Sequence, residues 1–394
     1  MNRQPSQTGE IARQHNLDAL TGLRFFAAFA VFAAHFFLIE DWLGGLHPSL
    51  SHLRNSLVIT VYVFFVLSGF ILTIAYQRLE TGTPDWKERK KFWIARFARM
   101  YPVYLISLLW FAPFILTHRY ATESTTLATQ KTLTSWFAAM FMVQSWISNR
   151  FGVAWNGPTW TLSVEAGFYL LFPWLLRGII RLGTSSLILT GIALTLAGGW
   201  ALNEPAILGN HTRSPLTLLP IFALGIVCAC LYQKCHHLPT ARMAGALPIL
   251  AIILLLAVIY EAIPDTPKYG NTVMLAAICA LIYGLASQGW PAKFLARPTM
   301  MLLGEASYSF YLLQFPIYYT VLWIWLRFPV IDLITLSERQ LTPQAHPWGF
   351  LLLFAANQGA ALLAFLYVER PLRVYLRKRL GAWLIHEELP KPAV

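Results

Sequence analysis

Long apolar runs separated by short polar stretches follow one another along most of the chain. Most of these runs approach or reach the ~20 residues that an α-helix needs to cross the hydrocarbon core of a bilayer. Backbone polar groups in that core must be hydrogen-bonded within the chain, so the spans are expected to be helical. The pattern predicts an all-α, polytopic membrane helix bundle of about ten transmembrane helices, at 20–39, 57–77, 100–117, 159–177, 186–202, 215–233, 244–262, 271–287, 302–326 and 348–368.

One further apolar segment, Leu133 to Ile147, is too short for an ordinary span. It has only about 15 residues, a length typical of a re-entrant or interfacial segment. We therefore predict that it does not cross the membrane.

Composition and charge support this interpretation. Only 12% of the 394 residues are charged and 57% are hydrophobic, whereas soluble domains have about 25% charged residues. With ten spans, 22 of the 30 Lys and Arg residues lie on one side of the bilayer and 8 on the other. The positive-inside rule then predicts that both termini are cytoplasmic, whereas an eleventh span at 133–147 would place the basic C-terminal tail outside.

The net charge of +12 is explained by this topology. No basic motif with interleaved aromatic residues is present, so the lipid bilayer is a predicted partner and nucleic acid is not. The predicted organisation is a cytoplasmic N-terminal segment at 1–19, a membrane domain at 20–370 and a basic cytoplasmic tail at 371–394. Residues Met1 to Ala19 are polar, and the apolar run that follows contains Arg24 and His35 without a small-residue cleavage site, so we predict no removed targeting peptide.

His35 is the first candidate for chemistry, because an ionisable side chain inside an apolar span is costly and is a functional candidate by default. Arg24 precedes it by eleven residues, which on an α-helix is 20° past three full turns. The two side chains therefore share one face, about 16.5 Å apart along the helix axis. A neutral imidazole at that place can accept a proton from a hydroxyl group. The alternative is a histidine that only hydrogen-bonds between helices.

Arg96 and Arg99 form the second candidate site, in the basic segment before the third span. Three residues apart, they project from one face of a helix. Two guanidinium groups placed in this way suit phosphate groups. A plain topological anchor at the cytoplasmic surface is the alternative.

Glu165 is the third candidate, in the span that begins after Gly157-Pro158. It lies roughly 10 Å inside the outer boundary, and the same arithmetic places His35 at ~6 Å. At these compatible depths a carboxylate can orient an imidazole and stabilise its protonated form. A Glu paired elsewhere, without a role in chemistry, is the alternative.

Several polar residues are weaker candidates for substrate contact. Trp160, Ser163 and Tyr169 flank Glu165, and a polar stripe on the ninth span includes Tyr311 and Gln314. Hydrogen bonds between helices are the other use for such a stripe, which comprises Ser307, Tyr308, Ser309, Tyr311 and Gln314.

Three other features are expected to be structural. The small pair Ser68-Gly69 fits close helix packing as well as ligand access. Glu369-Arg370-Pro371 is expected to form a local ion pair and a helix stop. The cluster of Cys228, Cys230, Cys235, His236 and His237 matches no standard zinc spacing. We therefore predict no metal and no permanently bound cofactor.

Taken together, these segments resemble the membrane-bound acyltransferase-3 family of O-acyltransferases. The resemblance runs from Leu17 to Arg373 and rests on the order and spacing of short elements. These elements are Leu20-Thr21-Gly22-Leu23-Arg24 with His35, Val63-Phe64-Phe65-Val66-Leu67-Ser68-Gly69-Phe70, Arg96-Phe97-Ala98-Arg99, Trp160-Thr161-Leu162-Ser163-Val164-Glu165, Ala306-Ser307-Tyr308-Ser309-Phe310-Tyr311-Leu312 and Glu369-Arg370-Pro371.

The resemblance implies a ten-span bundle that transfers an acyl group, usually acetyl, from cytoplasmic acyl-CoA to a hydroxyl of a surface glycan or glycolipid. It implies that Arg24 with His35 form one signature and that Arg96 with Arg99 meet the coenzyme. The implied location is the bacterial inner membrane. Acyl-CoA acts in this scheme as a donor substrate, not as a resident cofactor.

Two positions depart from the family pattern. Ala166 follows Glu165 where relatives often have a second Glu, and Gln314 stands where many have a His. A mechanism that needs either group is therefore not expected here. A secondary transporter of a small polar or anionic solute is the alternative function, although no internal repeat accompanies the charges within the spans. The sequence leaves open the acceptor, the acyl chain length, direct transfer or an acyl-enzyme, and the oligomeric state.

Overall fold

The computed structural model describes residues 7–36, 60–76, 85–122, 125–235, 241–261, 270–287, 289–326 and 347–385. No β-strand occurs in these ranges. The helices are α1 (Gln7–Phe36), α2 (Val61–Tyr76), α3 (Trp86–Thr122), α4 (Thr125–Met140), α5 (Gln144–Ile147), α6 (Asn149–Gly152), α7 (Trp160–Ile179), α8 (Thr184–Asn203), α9 (Pro205–Leu208), α10 (Pro215–Cys235), α11 (Ala241–Glu261), α12 (Gly270–Ala286), α13 (Trp290–Leu295), α14 (Pro298–Leu326), α15 (Pro347–Ala364) and α16 (Arg370–Ile385).

Each of the ten predicted spans overlaps one of these helices, and the predicted residues 37–39, 57–59, 77 and 262 lie outside the described part of the chain. Among the described residues, six candidate spans have the length and apolar composition to cross a membrane: Asp18–Phe36, Trp86–Tyr120, Gly157–Ile179, Thr184–Asn203, Pro215–Cys235 and Gly349–Leu384. Three shorter apolar helices are Val61–Tyr76, Arg242–Val258 and Gly270–Ala286. The remaining predicted span, 302–326, lies in α14, which covers Pro298–Leu326. The predicted fold class, an all-α polytopic membrane bundle, is confirmed.

The chain divides into two compact units. The first unit comprises Met1–Gln77, Leu175–Leu208 and Leu218–Ser307, and the second comprises Arg78–Trp174, Gly209–Thr217 and Tyr308–Val394. Arg24 and His35 therefore belong to the first unit, and the other candidate residues belong to the second.

The first unit is held together by close approaches at glycines. A side chain at Gly304 of α14 would collide with the carbonyl oxygen of Thr21 in α1. In the same way, side chains at Gly69 and Gly225 would collide with backbone atoms of α10 and α2, respectively. Small residues allow such contact between membrane helices. Gly69 therefore serves the close packing of α2 against α10.

Helix α3 begins earlier than the predicted span at 100–117. It runs from Trp86 to Thr122 and contains Pro102 and Pro113. The charged residues end the apolar run but not the helix, because helical backbone continues into the membrane interface. Arg96 and Arg99 are consequently fixed in one continuous helix with the apolar part of α3.

The segment 133–147 is not one continuous helix. Helix α4 ends at Met140, Met142 has a left-handed backbone with φ 56°, and α5 begins at Gln144. Leu133, Phe137 and Phe141, four residues apart, are all exposed on one face. Neither α4 nor α5 is among the candidate spans of the described residues. Whether the segment lies in the interface stays a prediction.

The end of α15 differs from the expected helix stop. A π-helical turn, Phe365–Glu369, leads directly into α16, so the helix continues through Pro371. A π turn widens the backbone where proline removes a donor and would clash with the preceding turn. Glu369 is buried here and accepts a hydrogen bond from the Ser309 hydroxyl at 2.9 Å. The prediction of a helix stop at 369–371 was wrong.

Candidate active site

Arg24 and His35 lie on a stripe of α1 that faces the interior of the first unit. The two positions between them on the stripe, Ala28 and Val31, are fully buried, and Arg24 and His35 are themselves partly buried. Phe26, on the opposite side of the helix, is 41% exposed. The imidazole thus projects from the packed side of the helix, as a group that receives a substrate must.

The start of α1 is fixed next to this stripe. Gly22 packs against the backbone of Leu295 in α13, at a distance that admits no side chain. One and a half turns later, the Thr60 hydroxyl donates a hydrogen bond to the carbonyl oxygen of Ala27 at 3.3 Å. The Gly22 contact explains why a small residue precedes Arg24. The backbone that carries Arg24 is thus held two residues before it and three residues after it.

Arg96 and Arg99 project from one side of α3 in the second unit. The guanidinium of Arg96 lies 5.9 Å from the centre of the Phe92 ring. Arg99 is partly buried and forms no hydrogen bond or ion pair within the part of the chain that the structure describes. The arrangement gives two neighbouring cations, one of them resting on an aromatic ring.

Glu165 and Tyr169 form a pair on α7. The Tyr169 hydroxyl donates to the Glu165 carboxylate at 3.3 Å. The Tyr169 ring meets the edge of Phe92, with the ring centres 6.5 Å apart. Phe92 therefore contacts both Tyr169 and Arg96, so the fold brings the cationic and carboxylate candidates of the second unit to one aromatic ring.

Two tyrosines of α14, Tyr308 and Tyr311, belong to the same unit as this carboxylate. The Tyr308 hydroxyl donates to the Met100 carbonyl, which ties α14 to α3. Tyr169 bonds directly to Glu165, and phenol groups are suited to orienting a polar substrate through hydrogen bonds.

The substrate candidates near the start of α7 all make contacts within the second unit. Tyr311 donates to the Pro158 carbonyl at 3.3 Å, and the Gln314 amide donates to the Tyr311 carbonyl at 2.7 Å. Ser163 accepts a hydrogen bond from the Ser145 backbone at 3.1 Å, and Trp160 lies beneath the Arg213 guanidinium at 5.2 Å. These bonds fix the N-terminal end of α7. Direct contact of the four side chains with substrate stays a prediction.

Two features of the second unit were missed by the sequence analysis. Gln144 is fully buried and donates to the Tyr104 hydroxyl and to the Thr159 carbonyl. Arg89 is buried between Trp86 and Trp174, with its guanidinium 5.3 Å from each ring centre. Gln144 could have been found as a polar residue within an apolar segment. Arg89 could have been found from its spacing of seven residues to Arg96, which places both on one face of a helix.

In the described part of the chain, no group of three or more His, Cys, Asp or Glu residues is arranged to hold a metal ion. His236 and His237 of the cysteine-histidine cluster lie outside the described residues. Cys228 and Cys230 are buried in α10.

A model of the family described as "Acyltransferase domain" matches residues 17–366, which is most of the chain. The chain belongs to the acyltransferase-3 family. The resemblance found in the sequence and the predicted enzyme class, an O-acyltransferase, are thereby confirmed. Membership favours the enzyme over the transporter.

Curated relatives have related names. The chain is 31% identical over 327 residues to acyltransferase MdmB of Streptomyces mycarofaciens, covering 76% of this chain and 78% of the relative. It is 27% identical to peptidoglycan O-acetyltransferase OatA of Listeria monocytogenes, covering 91% of this chain and 56% of the relative. A putative O-acetyltransferase of Staphylococcus aureus is 25% identical over 327 residues, covering 76% of this chain and 50% of the relative. The chain thus spans about half the length of these two O-acetyltransferases. No solved structure matches the chain.

Proposed function

We propose that the protein transfers an acetyl group from cytoplasmic acyl-CoA to a hydroxyl of a surface glycan or glycolipid, with His35 as general base. The observation that carries the proposal is the buried stripe of α1, on which an imidazole and a guanidinium share one face. A histidine that faced lipid would have no access to a hydroxyl substrate.

The donor is expected at the cationic side chains. Arg96 and Arg99 are proposed to bind the phosphate groups of the coenzyme, with Arg24 as a further cationic contact. Guanidinium groups bind phosphate with charge-assisted hydrogen bonds. The available guanidinium of Arg99 and the support of Arg96 by Phe92 favour this role over a purely topological one.

The reaction needs one base and one leaving group. The acceptor hydroxyl gives its proton to the imidazole of His35 as its oxygen attacks the thioester carbonyl. The carbon–sulfur bond then breaks, the coenzyme leaves as the thiolate, and the imidazolium returns the proton to the sulfur. The partly buried Glu165 is proposed as a catalytic carboxylate that supports this proton transfer, oriented by its bond from Tyr169.

The acceptor is proposed to be a glycan because one relative is named a peptidoglycan O-acetyltransferase. Trp160, Ser163, Tyr169, Tyr311 and Gln314 are proposed to contact it. The membrane domain is proposed to extend over 20–370, in the bacterial inner membrane, with the segments at 1–19 and 371–394 in the cytoplasm.

The proposal is tested by comparing the masses of surface glycans from a deletion strain complemented with wild type, His35→Ala or His211→Ala. His211 is an exposed histidine outside the candidate spans and serves as the matched control. With the wild type and the control, we expect the glycan mass to increase by one acyl group per modified unit. His35→Ala should lose roughly 10²- to 10⁴-fold in transfer, the range typical of a missing general base.

A thermal unfolding measurement on each purified variant separates loss of chemistry from loss of fold. A folded His35→Ala protein that acylates at the wild-type rate would remove His35 from the mechanism. An unchanged glycan profile in the deletion strain would reject the glycan acceptor but leave the enzyme class untouched.

A further inference from the structure

The first unit contains an open apolar groove that the proposed reaction does not use. It lies between α8, α10, α11 and α12 and has a volume of about 490 Å³. Its walls include Ile188, Ile192 and Leu196 on α8 and Leu224, Val227 and Leu231 on α10. From Ile188 to Leu196 the groove follows α8 for about 12 Å.

Three of the polar side chains that line the groove, Thr195, Cys228 and Tyr283, donate hydrogen bonds to backbone carbonyl groups. Thr195 donates to Gly191 at 2.7 Å, Cys228 donates to Cys279 at 3.8 Å, and Tyr283 donates to Cys235 at 3.2 Å. These donors are therefore not directed at a ligand. The groove is suited to an apolar chain, because a polar ligand placed there would lose its hydrogen bonds to water.

One end of the groove carries positive charge. Leu231 and Tyr283 line the groove next to the last turn of α10, where the Lys234 ammonium group donates to the Leu182 carbonyl at 2.5 Å. The exposed Arg181 directly precedes that residue. Of the four helices around the groove, α8, α10 and α12 contain no Asp or Glu, and the one acidic residue of α11, Glu261, is its last residue. The charge at this end therefore complements a phosphate group.

We propose that this groove binds one acyl chain of an anionic glycerophospholipid, whose phosphate lies at Lys234 and Arg181. An acyl chain fills the groove along α8 and restores the dispersion contacts that an empty groove would lack. The headgroup is held by two cations at membrane-interface depth, each expected to attract an anionic lipid. The site is independent of the acyl-transfer chemistry.

The test uses the purified protein in nanodiscs of phosphatidylcholine that contain a small fraction of phosphatidylglycerol with a photoreactive acyl chain. After illumination, peptides that carry the lipid are mapped by mass spectrometry. We expect adducts on the groove-lining parts of α8 and α10. Ala276→Trp and Gly191→Leu, which fill the groove, should reduce this labelling at least fivefold.

Leu189→Trp is the matched control, because Leu189 lies on the same helix, is 68% exposed and does not line the groove. It should leave the labelling unchanged. Ala276 is itself exposed, so Ala276→Trp is expected to fold even if Gly191→Leu does not. The proposal would be overturned if Ala276→Trp and Gly191→Leu both retained the labelling. It would also be overturned if the labelling spread evenly over all exposed apolar helices.

The charge requirement is tested with Lys234→Gln and Arg181→Gln. Together they should lower the labelling by phosphatidylglycerol at least threefold relative to a photoreactive phosphatidylcholine. Lys293→Gln, at an exposed cation elsewhere in the first unit, should not. Equal labelling by the two lipids in the wild type would reject an anionic lipid, and loss of labelling on addition of long-chain acyl-CoA would assign the groove to the donor.

Discussion

At the scale of single residues, the polar side chains of the second unit form two kinds of contact. Ser309, Tyr308 and Tyr311 hydrogen-bond to neighbouring elements, so the stripe on α14 serves helix packing, as one of its two predicted uses. Arg96, in contrast, lies beside an aromatic ring, and Arg99 forms no hydrogen bond or ion pair with the described residues. The two groups should therefore respond differently to substitution.

Arg96→Ala and Arg99→Ala are expected to weaken donor binding. A hydrogen bond to a charged group contributes about 1.5–3 kcal/mol, so the KM for acyl-CoA should rise roughly ten- to hundredfold in each variant. Steady-state kinetics with purified protein measure this change. Arg150→Ala, at an exposed arginine of the second unit, is the control. An unchanged KM in both variants would reduce Arg96 and Arg99 to topology anchors.

Ser309→Ala is expected to lower stability rather than donor affinity. It leaves the buried Glu369 carboxylate without its 2.9 Å hydrogen bond, which should cost about 1–3 kcal/mol. Ser307→Ala is the control, because the Ser307 hydroxyl donates to the Gly304 carbonyl in its own helix. Thermal unfolding in detergent compares the two. Equal melting temperatures would mean that the bond to Glu369 contributes nothing.

At the scale of helices, glycine contacts and one arginine clamp set how neighbouring elements meet. Gly225 and Gly304 allow backbones to touch in the first unit. In the second unit, Arg119 at the end of α3 donates to Thr132 and Ser135 of α4 and to the Ala154 carbonyl. The clamp keeps Ser135 on the packed face of α4, which leaves Leu133 and Phe137 on the exposed face.

Gly225→Ala and Gly304→Ala are expected to destabilise the protein, because the added methyl group would collide with backbone atoms of another helix. Overpacking of this kind costs typically 1–3 kcal/mol. Gly359→Ala is the matched control, since nothing lies within 4 Å of a side chain there. It should be neutral or stabilising by about 0.5–1 kcal/mol, because alanine favours a helix. The unfolding temperatures of the three variants decide the matter.

At the scale of the whole molecule, the distribution of basic residues predicts ten spans with both termini in the cytoplasm. The described helices confirm a polytopic bundle, and the break between Met140 and Gln144 argues against an eleventh continuous span. The orientation itself stays a prediction from the positive-inside rule.

The orientation is tested with reporter fusions after residues 182, 204 and 394. Alkaline phosphatase should be active only at 204, and green fluorescent protein should fluoresce only at 182 and 394. A fusion after residue 84, which precedes the segment 133–147, should report the cytoplasm in either topology. If the segment crossed the membrane, the fusions after residues 182, 204 and 394 would each report the opposite side of the membrane. That pattern would replace ten spans with eleven.

The sequence by itself determined the membrane class, the positions of the ten helices and the shared face of Arg24 and His35. These properties depend on hydropathy and on the 3.6-residue period, which are local. The bounds of α3 and the continuation through Pro371 were missed, because charges and proline interrupt an apolar pattern without ending a helix.

Only the tertiary structure decided which faces meet. It brought Tyr169 to the Phe92 ring, bonded Ser309 to Glu369, placed Trp174 against Arg89 and opened a groove beside α8. These contacts join residues far apart in the chain, and no local period specifies such a partner. The sequence indicated the candidate chemical groups, and the packing of the helices determined which residues they contact.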